Sequence, residues 1–188
     1  MIQTHTRIVN FLGAPGVGKS TQAVGLFYNM KREGLSVEYI GEYAKDVTYD
    51  DNKRLLEDQW HIFSQQLRRQ YRLIDKVDYV ITDSPLLLSA VYLRWLEEVN
   101  SHHVFDRDFR MKSYQYFIDC YHQFNNVNFY ITRTVPYKSE GRVHTQEESV
   151  LLDYMINEIA TEECKDTNLK NISPLTPMSE IIRTVRAR

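Results

Sequence analysis

Glycines, a lysine and hydroxyl side chains lie close together near the start of the chain, in an order that suits phosphate binding. The pattern G-x-x-x-x-G-K-S is met by Gly13, Ala14, Pro15, Gly16, Val17, Gly18, Lys19 and Ser20, with Thr21 next. Glycines let backbone amides turn towards an anion, and a following helix adds the positive end of its dipole. We expect Lys19 to contact the β- and γ-phosphates of ATP, Ser20 to hold Mg²⁺ and Thr21 to reach the α-phosphate.

Carboxylates follow the second and third apolar runs of the chain. Glu42 comes directly after one run and could take a proton from an attacking hydroxyl. Asp83 follows the next run and could hold Mg²⁺ through water or act as the base itself. A helix-capping role for Asp83 or Ser84, next to Pro85, is compatible with either task. Both carboxylates are therefore candidate catalytic residues, and Asp83 is also a candidate metal ligand together with Ser20.

Two arginines flank a polar segment that contains proline and glycine. Arg133 follows the fourth apolar run, and Arg142 comes after Gly141. Arginines on a closing loop could neutralise the charge that spreads over the γ-phosphoryl oxygens during transfer. The alternative is a solvated basic loop. We predict a lid over about residues 133–150, with Arg133 and Arg142 joining Lys19 as catalytic residues.

The elements that must position these residues alternate along the chain. Short apolar runs predict strands at 7–12, 35–40, 79–82, 127–132 and 169–173. Longer periodic patterns predict helices at 19–33, 53–76, 85–99 and 108–124, one beginning at the capping box Thr145–Glu148, and a terminal one. This alternation predicts an α/β fold of the P-loop NTPase type, a three-layer sandwich. It would have a five-stranded parallel sheet, helices on both faces and a helical or loop lid.

The long helix predicted at 53–76 could approach a bound ring. Gln65 and Gln66 carry amides that could read the edge of a base. Trp60, Phe63 and Leu67 recur at helical spacing, and we expect most of this apolar face to lie in the core.

Composition places limits on the class of protein. The 188 residues suffice for one domain, and we predict a single kinase-sized domain over 1–188. A net charge of −2 argues mildly against a broad nucleic-acid-binding face. The absence of an apolar run of membrane-spanning length or of a signal peptide predicts a cytoplasmic protein without membrane contact. Cys120 and Cys164 show no metal or redox spacing, and we expect free thiols.

Three segments beyond the glycine motif resemble those of small P-loop kinases of the nucleoside and nucleotide kinase group. They are Glu42–Lys45, Thr82–Pro85 and Arg133–Tyr137, the last leading to Arg142. Within that group the chain is most similar to ribosylnicotinamide-kinase-type domains. The resemblance implies ATP-dependent phosphorylation of a hydroxyl on a nucleoside- or nucleotide-like acceptor, with Glu42 or Asp83 as base. Lys45 stands where the family often has arginine, which is not equivalent in binding phosphate.

Two other functions stay open at this stage. The chain also resembles bacteriophage 5-hydroxymethyluracil DNA kinases, which would place it in a host cytoplasm with DNA as its partner. A basic stripe for the DNA backbone could be formed by Arg68, Arg69, Arg72, Arg107, Arg110 and Lys112. A regulatory P-loop ATPase or switch without an acceptor is the alternative from another class. The sequence leaves the oligomeric state open, a dimer included.

Overall fold

The computed structural model describes residues 5–99, 106–134, 144–164 and 169–187. Its strands are Arg7–Leu12 (β1), Val37–Ile40 (β2), Tyr79–Thr82 (β3), Asn125–Ile131 (β4) and Leu169–Ile172 (β5). The helices of the described residues are Lys19–Arg32 (α1), Tyr43–Tyr49 (α2), Lys53–Glu57 (α3), Gln59–Tyr71 (α4), Leu87–Val99 (α5), Arg107–His122 (α6), Gln146–Glu163 (α7) and Met178–Arg186 (α8).

All five strands are parallel and lie in the order β2-β3-β1-β4-β5. Register pairs Asn10 with Thr82 and Leu12 with Tyr130, so the carboxyl ends of the three central strands meet at one edge. Ile8 to Leu12 of β1 are at most 1% exposed. Because successive strand side chains point to opposite faces, both faces of the sheet must be covered by helices. The predicted P-loop NTPase fold is thereby confirmed.

Buried polar side chains tie β1 to β4 inside this core. The Asn10 amide donates to Asn126 Oδ1 and to Asn128 Oδ1, at 2.9 Å each. The Tyr121 hydroxyl donates to Asn128 Oδ1 at 2.8 Å and lies 3.2 Å from the Cys164 sulfur. The hydrogen bonds offset the cost of burying the amides. Cys164 is buried, Cys120 is half-buried, and neither forms a disulfide.

The single helix predicted over 53–76 is wrong. The segment forms two helices, α3 and α4, and α4 ends at Tyr71. The Asn52 side chain accepts a hydrogen bond from Leu55 N, and the Asp58 side chain accepts one from His61 N. Each side chain therefore caps the start of a new helix. The preceding helix α2, which begins directly after Glu42, was not predicted.

Helix α7 begins where the capping box predicted it. Thr145 accepts from Glu148 N at 3.2 Å, and the Glu148 carboxylate accepts from Thr145 N at 2.7 Å. The rest of the predicted lid is largely 135–143, which lies outside the described residues.

The two ends of the described chain meet at the edge opposite the carboxyl ends of the strands. Arg7, the first residue of β1, donates through Nη1 to the Val185 carbonyl of α8 at 2.7 Å. The Thr6 hydroxyl donates to the Val77 carbonyl just before β3, also at 2.7 Å. The first bond fixes the start of β1 against the end of α8, and the second fixes it against the segment that leads into β3. Across the described ranges, no helix has both the length and the apolar character needed to span a membrane.

Candidate functional site

The glycine motif forms the connection between β1 and α1, as predicted. Gly13, Gly16 and Gly18 have φ values of 140°, 91° and 96°, which other residues adopt only with strain. A Cβ at Gly13 would lie 2.8 Å from a Val17 methyl and 3.1 Å from the Ile131 carbonyl, so the turn also needs glycine for space. The shape of the connection therefore depends on its glycines.

The predicted phosphate ligands lie at the start of α1. Ser20 and Thr21 are exposed in the first turn, where helix amides and the helix dipole attract an anion. Lys19 Nζ donates to the Gly13 carbonyl at 2.7 Å and to the Ala14 carbonyl at 3.0 Å. The Lys19 ammonium is thus held over the loop that would surround a phosphate.

Glu42 and Asp83 both approach the hydroxyl of Tyr39. Asp83 is 2% exposed, directly after β3, and its carboxylate lies near the Tyr39 hydroxyl. Burial, Asp83 and then Glu42 all raise the pKa of Tyr39, so this phenol stays protonated at neutral pH. The structure therefore brings the two carboxylates predicted from separate strand ends to one place.

Buried Gln66 of α4 supports the same corner. Its amide nitrogen donates to the Gly41 carbonyl and to the Thr82 hydroxyl at 3.4 Å each, and its oxygen accepts from Tyr43 N at 3.2 Å. Both ends of the amide are used within the protein. The contacts tie α4 and α2 to the ends of β2 and β3, and they place Gln66 as a support for the site.

Arg133 faces the glycine loop. Its Nε donates to Asp153 Oδ2 at 2.9 Å, and its Nη2 donates to the Pro15 carbonyl at 3.1 Å and to the Ser149 hydroxyl at 2.7 Å. The Arg133 and Asp153 side chains are 19% and 20% exposed. Arg142, predicted as its companion, lies outside the described residues.

His144 lies at the entry to α7, beside the loop. Its ring stacks on Tyr92 with centroids 5.7 Å apart and meets Trp95 edge-on at 5.0 Å. Burial lowers the pKa of His144, Glu148 opposes that change, and the positive charge of Lys19 adds to it. His144 is therefore neutral at physiological pH, close enough to the phosphate loop to sense its lysine.

A family model for AAA domains, AAA_28, matches residues 8–167. That range contains the glycine loop, both carboxylates and α7. The chain belongs to the AAA_28 family. No curated protein gives a significant match.

Solved structures of kinases share the fold of this AAA_28 protein. Deoxyadenosine kinase from M. mycoides, with the products dCMP and dCDP bound, superposes with a TM-score of 0.63 at 15% identity, covering 96% of this chain and 100% of that one. The same kinase with dATP gives 0.62 at 15% identity, covering 95% and 97%. NadR protein in complex with NR gives 0.62 at 15% identity over 97% of this chain but 50% of its own.

Several side chains of the AAA_28 site escaped the sequence analysis. Tyr39, Ser149 and Asp153 contact the predicted residues, yet none of them belongs to a motif. A signal existed for the pair on α7, since Ser149 and Asp153 are four positions apart and share one helix face. Nothing local in the sequence indicated that this face meets the glycine loop.

The residues at the site fit Mg²⁺ bound with a nucleotide. Of the side chains described, Asp83 offers an oxygen, Oδ1, that is buried and lacks a hydrogen-bond partner. Carboxylate and hydroxyl oxygens are the ligands that Mg²⁺ takes, usually few from protein and the others from phosphate and water. That rule agrees with the finding that no group of three or more acidic, histidine or cysteine side chains is arranged for a metal over 5–99, 106–134, 144–164 and 169–187. Ser20 and Asp83 would supply the protein ligands.

Proposed function

We propose that this AAA_28 protein is an ATP- and Mg²⁺-dependent kinase. It would transfer the γ-phosphoryl group to a hydroxyl of a nucleoside- or nucleotide-like small molecule. The observation that supports this proposal is the position of two carboxylates. Glu42 and Asp83 both lie close to Tyr39, on the same sheet edge as the glycine loop. A phosphate-binding loop beside a pair of carboxylates suits the deprotonation of an alcohol next to a triphosphate.

Each residue has a task in this reaction. The acceptor oxygen forms a bond to the γ-phosphorus, the bond to the β,γ-bridging oxygen breaks, and ADP leaves. Glu42 takes the hydroxyl proton, while Asp83 is the alternative base. Lys19 and Arg142 neutralise charge on the phosphoryl oxygens. Mg²⁺, held by Ser20 and Asp83, would screen the phosphate charges.

The neighbouring structures support an acceptor of nucleoside type. The solved structures that share the fold hold dCMP, dCDP, dATP or NR as their ligands. At 15% identity, the superposition of these structures supports a shared fold. We infer the acceptor of this chain from that fold together with the carboxylates of Glu42 and Asp83. A molecule with a ribose-like hydroxyl is the simplest acceptor that is consistent with the carboxylates and with the shared fold.

Ion pairs in the predicted basic stripe favour a small acceptor over DNA. Arg69 pairs with Asp46 at 2.7 Å, Arg110 with Glu97 at 2.6 Å, and Lys112 with Asp108 at 2.7 Å. Carboxylates at these positions reduce the positive potential on which backbone binding depends. The DNA kinase therefore stands second, and an acceptor-independent ATPase, which an AAA domain could also be, stands third.

An acceptor screen separates the three functions. The protein is incubated with γ-labelled ATP and Mg²⁺, and with nicotinamide riboside, common nucleosides, monophosphates, or DNA with and without hydroxymethylated pyrimidines. We expect label on a small molecule. Label on DNA would establish the DNA kinase instead, and label only in free phosphate would favour the ATPase.

Substitution of Glu42 tests the base. We expect Glu42→Gln to lower phosphoryl transfer about 100- to 10,000-fold, because the acceptor proton loses its carboxylate, while ATP affinity is kept. The matched control is Glu38→Gln, which removes an exposed carboxylate of the same strand whose partner is Lys31. Full activity in Glu42→Gln would transfer the role of base to Asp83.

A further inference from the structure

Most polar backbone atoms in the first half of the glycine loop are already bound by side chains. Lys19 takes the carbonyls of Gly13 and Ala14. The Ala14 amide donates to Asp153 Oδ1 at 3.3 Å, and the Pro15 carbonyl accepts from Arg133 and, at 3.2 Å, from the Ser149 hydroxyl. The loop is thus held by Lys19 of α1, by Arg133 two residues beyond β4, and by Ser149 and Asp153 of α7.

Asp153 is the centre of these contacts. Besides the Ala14 amide and Arg133, it accepts a hydrogen bond from the Tyr130 hydroxyl at 3.1 Å. Burial and the Asp153 charge raise the pKa of Tyr130, so this phenol remains a donor. One carboxylate therefore joins the end of β4, the loop and α7, and its position is fixed by three donors.

The opposite charges of Arg133 and Asp153 cancel next to the glycine loop. An unpaired carboxylate at Asp153 would repel a bound triphosphate, and Arg133, at 2.9 Å, cancels that charge. The guanidinium of Arg133 donates hydrogen bonds to three oxygens at once, which belong to Asp153, Pro15 and Ser149. A lysine, whose three donors share one nitrogen, could not span these oxygens as the guanidinium does.

We infer that Asp153 and Arg133 are positioning residues that preform the phosphate loop. In this arrangement Arg133 acts by holding the loop in its binding shape, with Asp153 as its anchor. Preformed donors cost no reorganisation when the anion binds, which raises affinity. The inference rests on the proposed function in one respect, which is that the glycine loop binds a triphosphate.

The first experiment measures the loop without any ligand. Hydrogen exchange of the peptide over residues 8–21 is compared in the wild-type protein, Asp153→Asn and Glu158→Gln. The last is the control, because Glu158 is an exposed carboxylate of the same helix, paired with Arg94 on the surface. We expect exchange about tenfold faster at Ala14 in Asp153→Asn and unchanged in the control. Equal protection in all three proteins would overturn the inference, whatever reaction the protein catalyses.

The second experiment measures the binding of a non-hydrolysable ATP analogue with Mg²⁺ and no acceptor. We expect Asp153→Asn and Arg133→Lys each to weaken binding about tenfold, and the double variant to be no weaker than either single one. Ser149→Ala should act in the same direction, and it replaces Asp153→Asn if that variant does not fold. Additive losses would overturn the inference. Unchanged analogue binding in Arg133→Lys, together with a slower transfer rate in the assay with labelled ATP, would also overturn it and would show that Arg133 acts on the phosphoryl group itself.

Discussion

Tyr39 lies beside the carboxylates of Glu42 and Asp83. Its hydroxyl lies near Asp83, whose Oδ1 is buried with no hydrogen-bond partner in the described part of the chain. Burying a carboxylate is costly unless donors or cations reach it. A buried carboxylate oxygen without a donor, such as Asp83 Oδ1, is therefore a place that a cation such as Mg²⁺ would stabilise.

Removal of that hydroxyl should destabilise the protein. We expect Tyr39→Phe to lower the free energy of unfolding by about 2 kcal/mol, since the buried Asp83 carboxylate loses a neighbouring polar group. Urea denaturation measures the change. Tyr28→Phe is the control, because Tyr28 is 57% exposed on α1. An equally small effect in both variants would contradict a stabilising effect of the Tyr39 hydroxyl on Asp83.

The sequence predicted residues of the site where spacing along the chain reveals the chemistry. The glycine motif, Glu42 and Asp83 could be found because each directly follows an apolar run. The contacts of Arg133 could not, because Asp153 lies twenty positions later on a helix whose packing depends on the whole sheet. Partners brought together by tertiary structure leave little local signal.

At the scale of elements, the break between α3 and α4 shows a cap overriding periodicity. Leu56, Trp60 and Phe63 keep helical spacing across the break, so the pattern predicted one helix. Asp58 interrupts it, because its carboxylate satisfies the His61 amide in a non-helical conformation. Strand positions were predicted more accurately than helix boundaries, because a short, fully apolar run can bury its side chains in few conformations other than a central strand.

The cap at Asp58 should contribute measurably to stability. We expect Asp58→Ala to cost about 1 kcal/mol, because an amide of the first turn of α4 loses its acceptor. Thermal and urea denaturation test this change. Asp58→Asn, which keeps a capping oxygen, should retain most of the stability. A variant Asp58→Ala as stable as the wild type would mean that packing of α4 alone sets the break.

At the scale of the whole molecule, nucleotide binding should stabilise the fold. Mg²⁺ and ATP at 100 times their Kd should add about 2.7 kcal/mol to the free energy of unfolding, because only the folded chain forms the loop. The melting temperature with and without ATP measures this gain. Lys19→Ala should lose the gain while melting normally without nucleotide. An equal shift in Lys19→Ala would place the nucleotide elsewhere.

The bond between Arg7 and Val185 has a practical consequence for the architecture. It brings the beginning and the end of the described chain together on the side of the sheet away from the loop and the carboxylates. A tag, a tether or a second enzyme joined at either end would emerge there. An attachment on that side of the sheet would therefore leave the glycine loop and the two carboxylates uncovered.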